Sequence, residues 1–507
     1  NIESGKMITI AALRKDYNPP VPAIIHDNRP NPSGSPPPRY LVTTAGTLIL
    51  DSVILKANIT GTHVGNSVYV YGIQQTAGTV TVKGNTTEIR NFAHAVEVKG
   101  GTFTMEGGSI CNNYVNGGAS GVEIGGGTFI LKGGSIKDNE ATSMAGVYVK
   151  GASTTNHGTF KMESGEISGN KAKCLGGGIY VGEHGQADIS GGTIKANHAA
   201  EGTFSSPPED VGGGGICIEK GTVNFTGGTI KDNFLDGAKK NCGAGVFVEG
   251  GGTFNMTGGT IEGCKTDPDA YNPESSKGGG VFVKHGTFTM SGGKVSGNTA
   301  DKGGGIYGEH SGYDLGVIKI SGGEVSGNTA TAGGGIYSKY QLTVSDSAQI
   351  KNNTAPNGSG GGIAIPFHGL FYFTGGTVSG NTADEGGGIY ISTTAAGTVP
   401  IKMSGIATVT EDNDVFLDNG SGDYTYITVT GELKKPHAAR LTMKDDPDPD
   451  LSVYKEGRVV VKGDGFPLTP AYVYNFPITP QQISSGLYTL WTTELDGNEL
   501  KLKKITP

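Results

Sequence analysis

From Gly286 to His310 the chain reads GTFTMSGGKVSGNTADKGGGIYGEH, and the same pattern is written again and again on both sides of it. Each copy holds an alternating strand (Phe288 and Met290 on one side), Gly-Gly, a short strand through Val295, a turn at Asn298, a variable stretch, and Gly-Gly-Gly-Ile306-Tyr307. Aligned on the apolar pair of the first strand, the copies run from Leu48/Leu50 through Val80/Val82, Phe103/Met105, Phe129/Leu131, Phe160/Met162, Ala187/Ile189 and Val223/Phe225. They continue through Phe254/Met256, Phe288/Met290, Ile318/Ile320, Leu342/Val344 and Phe371/Phe373 to Ile401/Met403. That is roughly thirteen rungs with a mean period of about 29 residues, a spacing that signals a solenoid. Alternation with period 2, β-branched enrichment and almost no helical periodicity make the unit strand-turn-strand-turn-strand-turn. The expected fold is all-β: a single-stranded, right-handed parallel β-helix.

Stacking such coils about 4.8 Å apart fixes what each position does. The first-strand pair, the residue before the Asn turn (Ile110, Ile136, Val295, Val325) and the third-strand pair (Ile179/Val181, Val281/Val283) point inward. Each is worth about 1.5–3 kcal/mol when buried. Paired glycines permit positive φ at tight corners. The turn Asn recurs at Asn91, Asn113, Asn139, Asn170, Asn197, Asn233, Asn298, Asn328, Asn353 and Asn381, with Cys264 replacing it once. Amides stacked at a corner form a ladder that satisfies turn backbone groups, so this is a structural mark.

The repeat covers only part of the chain. Residues 1–43 carry a strand-like run, Met7 to Leu13, and then Pro19-Pro20, Pro22, Pro30, Pro32 and Pro36-Pro37-Pro38. Proline has no N–H for a ladder, so this segment is expected to be an extended arm that docks on its own body or on a neighbour. Residues 44–420 are the parallel β-helix. Residues 421–507 lose the Gly-Gly marks, gain prolines and carry Trp491, the only tryptophan, which suggests a small C-terminal β cap or module.

The 89 glycines have no collagen spacing and follow the repeat. A formal charge of −8 argues against a grip on phosphate backbones, so nucleic acid is not an expected partner. Cys111, Cys174, Cys217, Cys242 and Cys264 form no CxxC and no metal spacing. No apolar run reaches the roughly 18 residues of a membrane helix, so the chain is not expected to span a membrane. A start at Asn1 with no leader in view fits a mature exported protein.

The recurring [Ile/Val]-x-x-Asn followed by Gly-Gly-[Gly/Ala]-[Ile/Val], as in VSGNTADKGGGIY, resembles the repeats of chlamydial polymorphic membrane proteins. It also resembles those of β-helical adhesin-like surface proteins of spirochaetes and gut anaerobes. The likeness covers roughly residues 45 to 420. It departs where the aromatic of the polymorphic proteins' FxxN is aliphatic here, and there is no C-terminal membrane barrel. The resemblance implies secretion, surface display and adhesion to a host or neighbouring-cell surface, through glycan or protein. It carries over no catalytic residues.

The residue following the inward Ile306-type position should face out. Early rungs place Glu97 and Glu123 there, and later rungs place Tyr148, Tyr180, Phe247, Phe282, Tyr307, Tyr337, Tyr390 and Phe416, interrupted by Cys217 and Ala364. Three readings stay open: a stacking ladder between rungs, a platform for polysaccharide, or a surface for lateral self-association. The arm residues Ile8, Ile10 and Leu13 are candidates for capping the helix end or adding a strand to the next subunit, which would build a head-to-tail filament.

Other chemistry is thinner. His157/His184 and His285/His310 fall at successive turns without a carboxylate to complete a metal set, so neither metal nor cofactor is expected. A polysaccharide lyase or hydrolase would need clustered carboxylates and a basic partner. The outward first-strand positions Thr104, Lys161, Asp188, Asn224, Asn255, Thr289, Lys319 and Thr343 hold no acidic cluster, so catalysis is not expected. Thr102/Thr104 and Thr287/Thr289 read as isolated cases, too few for an ice-binding array.

Overall fold

A strand of four or five residues cannot bury its apolar face alone, so each repeat is stable only against the next. The computed structural model shows that solution: an all-β chain whose parallel stacked sheets form a β-solenoid of about 12 turns. It describes residues 2–11, 23–27, 39–57, 70–151, 153, 155–200, 210–236, 240–267, 276–309, 316–366, 369–392, 401–418, 425–444, 453–484 and 487–505. The chain divides into two compact units, residues 1–275 and 276–507.

In the first unit the expected apolar pairs lie in register. Leu48 stacks on Val80, Phe103, Phe129, Phe160, Ala187, Val223 and Phe254 in turn, all parallel and all fully buried. The stack begins earlier than the expected boundary at residue 44. Met7–Ala11 pairs with Thr47–Asp51, Ala23–Asp27 with Val53–Ala57, and Arg39–Thr44 with Val70–Gln75, all parallel. The prolines that suggested an arm all fall in the sequence between these three strands and lie outside the described residues.

The second unit repeats the plan with Phe288, Ile318, Leu342, Phe371, Ile401, Ile427 and Val461 in one inward column. The stack therefore runs past residue 420. Ile427–Leu433, Leu441–Met443 and Val459–Gly463 keep the inward alternation without the glycine marks that had defined a rung. Only then does the chain turn antiparallel, with Glu499–Lys504 against Val459–Gly463 and Trp491–Asp496 against Glu499–Lys504. This small sheet is the expected C-terminal element.

The amide ladder runs through four successive steps in each unit. Nδ2 of Asn113, Asn139, Asn170 and Asn197 donates to Oδ1 of the next Asn at 2.8, 2.9, 2.9 and 3.1 Å. Asn298, Asn328, Asn353 and Asn381 do the same, the last to Asn413, at 3.0, 2.9, 2.9 and 3.0 Å. Most of these amides also donate to a carbonyl of the preceding coil, as Asn139 does to Ile110 at 3.1 Å. Asn91 is not a member. It takes φ 62° in the preceding turn position, and the buried Phe92 occupies the ladder site and donates its backbone N–H to Asn113. At Cys264 the ladder weakens to an Asn233 Nδ2–Sγ contact of 3.9 Å.

Coil lengths vary in the turns and leave the strand register intact. Thr47, Thr79, Thr102, Thr128 and Thr159 consequently align in one row. The neighbouring row, Ile49, Thr81, Thr104, Ile130 and Lys161, does not repeat.

Candidate functional site

The outward column of the third-strand sheet exists as expected in register. In the first unit it runs Gln74, Glu97, Glu123, Tyr148, Tyr180, Cys217, Phe247. In the second it runs Phe282, Tyr307, Tyr337, Ala364, Tyr390, Phe416.

Most of these outward rings are not open to solvent. Tyr307 and Phe247 are 0% exposed, Phe282 1%, and Tyr180, Tyr337 and Phe416 7%, whereas Tyr148 and Tyr390 are half-buried. The cover is the chain itself. At Gly303 a φ of +63° brings the backbone against the column position of its own coil, and the segment before it reaches the ring of the next coil. A Cβ there would lie 2.9 Å from the Cβ of Tyr307. The first glycine of the Gly-Gly-Gly mark thus lets the backbone approach the column at most of these coils, a signal that was in the sequence and had been assigned only to cornering.

Inside this cover the rings stack. Phe282 and Tyr307 have centroids 5.2 Å apart at 11°, and Tyr307 and Tyr337 5.1 Å apart at 6°. Bridged positions Lys277 and Lys302 of the covering segments set ammonium groups 5.3 Å from the Tyr307 ring and 5.7 Å from the Tyr337 ring. Glu309 binds Lys277 at 2.6 Å and Lys339 at 3.3 Å, and accepts from the Tyr307 hydroxyl at 3.1 Å. Burial pushes the Glu309 carboxyl up, but these partners outweigh it and hold it below the usual range.

The start of the column is built differently. Tyr40 donates its hydroxyl to Glu97 Oε2, Gln74 Nε2 donates to the same oxygen at 2.9 Å, and Lys99 lies 3.2 Å from Oε1. Glu123 meets Lys150 at 2.8 Å and His94 Nδ1 at 3.7 Å. Tyr71 packs between the Tyr40 ring, 5.0 Å away, and the His94 ring, 4.5 Å away edge-on. Burial pushes Glu97 up, yet hydrogen bonds from Tyr40, Gln74 and Lys99 leave it lowered. Burial lowers the His94 imidazole more than Glu123 and Glu97 raise it. The sequence showed Glu97 and Glu123 as outward charges. It did not show Tyr40, Gln74 or His94 converging on them, because those residues precede the regular motif.

Ile8 and Ile10 stack on Leu48 and Leu50 in their own chain, with Ile8 42% exposed and Met7 69%. Leu13 lies outside the described residues, as does His310. His157 Nδ1 lies 3.2 Å from the His184 carbonyl oxygen, and the His285 backbone N–H donates to the Tyr340 hydroxyl at 3.2 Å. Among the described residues no three His, Cys, Asp or Glu side chains are grouped to hold a metal ion, and no helix is long and apolar enough to cross a membrane. The five cysteines form no disulfide, and burial pushes the Cys264 thiol up to about 12.

No protein-family model and no curated protein matches the chain.

Proposed function

We propose that this chain is a non-catalytic scaffold of an extracellular cell surface, a β-solenoid that carries adhesive contacts on its turns and ends. The observation that carries this reading is the burial of the outer aromatic column. Rings that would have formed a sugar-binding platform lie beneath the chain's own covering segments, and Tyr307 is 0% exposed. A polysaccharide cannot stack on Tyr307 or Tyr337 unless that cover opens. The regular positions serve the fold: inward apolar pairs, amide ladder, covered rings. The repeat's likeness to surface-displayed β-helices supports the location.

Antibody labelling of intact native cells, paired with incubation of the purified protein on pectin-like and algal polysaccharides, tests this reading. The expected result is surface labelling with no new unsaturated or reducing ends. Labelling only after lysis, or release of such ends, would overturn it.

Assembly into filaments is the second reading, favoured by one observation: Met7, Ile8 and Ile24 of the first described coil are exposed apolar side chains. Any such contact uses the face of a formed coil, since Met7–Ala11 is already paired with Thr47–Asp51. Isolated rods and continuous filaments are told apart by electron microscopy of the purified protein.

A further inference from the structure

We infer that Tyr40, Gln74, His94, Glu97 and Glu123 form an acid-sensitive latch holding the first described coil onto the coils behind it. That coil, formed by Met7–Ala11, Ala23–Asp27 and Arg39–Thr44, is the more weakly buried end of the first unit. Its inward Ile8 is 42% exposed and its inward Ile10 and Ile25 are only partly buried, whereas Leu48, Leu50 and Leu55, on which they stack, are fully buried. A polar tie reaches it from two coils away, because Tyr40 on Arg39–Thr44 donates to Glu97 on His94–Val98, past the intervening Val70–Gln75. Gln74 of that intervening strand donates to the same carboxylate oxygen, so one Glu97 side chain fastens two coils at once.

His94 makes the arrangement responsive. It stands three residues before Glu97 on the same strand, with its side chain 14% exposed. The groups facing it are the Tyr71 ring from the preceding coil, Glu123 at 3.7 Å from the following coil, Lys150 beyond it on Glu123, and Glu97 on its own strand. Gly118, at φ +64°, closes the remaining side, where a Cβ would come within 3.3 Å of the ring. A proton added to His94 needs water or a free carboxylate. Glu97 is held by Tyr40, Gln74 and Lys99, while Lys150 holds Oε1 of Glu123 and leaves its Oε2 3.7 Å from His94 Nδ1, beyond hydrogen-bond reach without movement of the ring. Solvating the imidazolium therefore means shifting Tyr71, and Tyr71 is the ring on which Tyr40 packs at 5.0 Å.

The sign follows from the folded chain disfavouring the proton. Stability from neutral His94 is complete above its ordinary value of 6.5 and is lost as pH falls below it. Glu97 adds a second, separate loss only below its ordinary 4.5.

Hydrogen exchange of the intact chain, read by mass spectrometry and corrected for intrinsic rates, tests the latch. Between about pH 7.5 and about pH 5.5, the range of a histidine switch, peptides over Met7–Ala11 and Arg39–Thr44 are expected to lose protection several-fold, while Val317–Ile320 does not change. His94→Gln should abolish this step, and Tyr40→Phe should weaken protection of the same peptides already at neutral pH. An absent step in the wild-type chain, or one that survives His94→Gln, would overturn the latch. An NMR titration of His94 in the wild-type chain tests it without a variant: a midpoint below 6.5 supports it, and one at or above 6.5 contradicts it.

Discussion

The outward column of the third strands is built one way at the start of the first unit and another way in the second unit. Around Glu97 and Glu123 it is a mesh of hydrogen bonds and ion pairs joining three coils, with side chains that still touch water. Around Phe282, Tyr307 and Tyr337 it is a stack of rings roofed by the chain and edged by Lys277, Lys302 and Glu309. The difference follows from the segment leading into the strand. Later coils carry a left-handed glycine such as Gly303 four residues before the column position, whereas that place is taken by Ala93 before Glu97 and by Ala119 before Glu123, neither of positive φ. A covered position selects rings, because rings gain by stacking and by losing water. A half-open one selects charges that bind each other.

The contrast can be broken most forcefully at its apolar end. Tyr307→Ala removes the middle ring of a fully buried stack and is expected to destabilise the chain by about 3–5 kcal/mol, read as an earlier transition in denaturant. Asn353→Ala, in the ladder common to the second unit's coils, leaves the Val325 carbonyl and the Asn328 amide without their partner. It should destabilise by about 1–3 kcal/mol per stranded group. At the polar end the effect is smaller and depends on pH. Glu97→Gln should lower the melting temperature modestly near neutrality and flatten the acid side of the profile below 4.5, where the wild-type carboxylate itself becomes protonated. The smallest effect is expected at Cys264→Asn. Restoring the amide there should stabilise the first unit by about 0.5–1.5 kcal/mol, and a loss of stability would show that the thiol suits its neighbours better than an amide does.

The repeat made the architecture legible because each inward side chain announces itself twice, by alternation along its strand and by recurrence down the stack. That is why Leu48 through Phe254 and Phe288 through Ile401 align as read. Where one of the two signals is missing, the reading went astray. Met7–Ala11 and Ile427–Leu433 alternate without the glycine marks and were left outside the solenoid. Asn91 carries the right residue one position early. The outer column was found for the right geometric reason, yet how far each ring is covered depends on how the neighbouring segments pack, since Tyr390 is half-buried behind left-handed Gly386 and Phe416 is buried without such a glycine, and alternation alone does not report this. The polar cluster was least visible, since Tyr40, Gln74 and His94 come from three coils of unequal spacing.

Tyrosine footprinting tests the central claim most directly. The native protein is exposed to a tyrosine-selective reagent such as acetylimidazole, and modification is mapped by mass spectrometry. Tyr474 and Tyr488, 75% and 54% exposed, serve as internal standards. Tyr307 and Tyr337 are expected to stay unmodified until the chain is unfolded. Modification of Tyr307 in the folded protein at the rate of Tyr474 would contradict the covered column and restore the open aromatic platform.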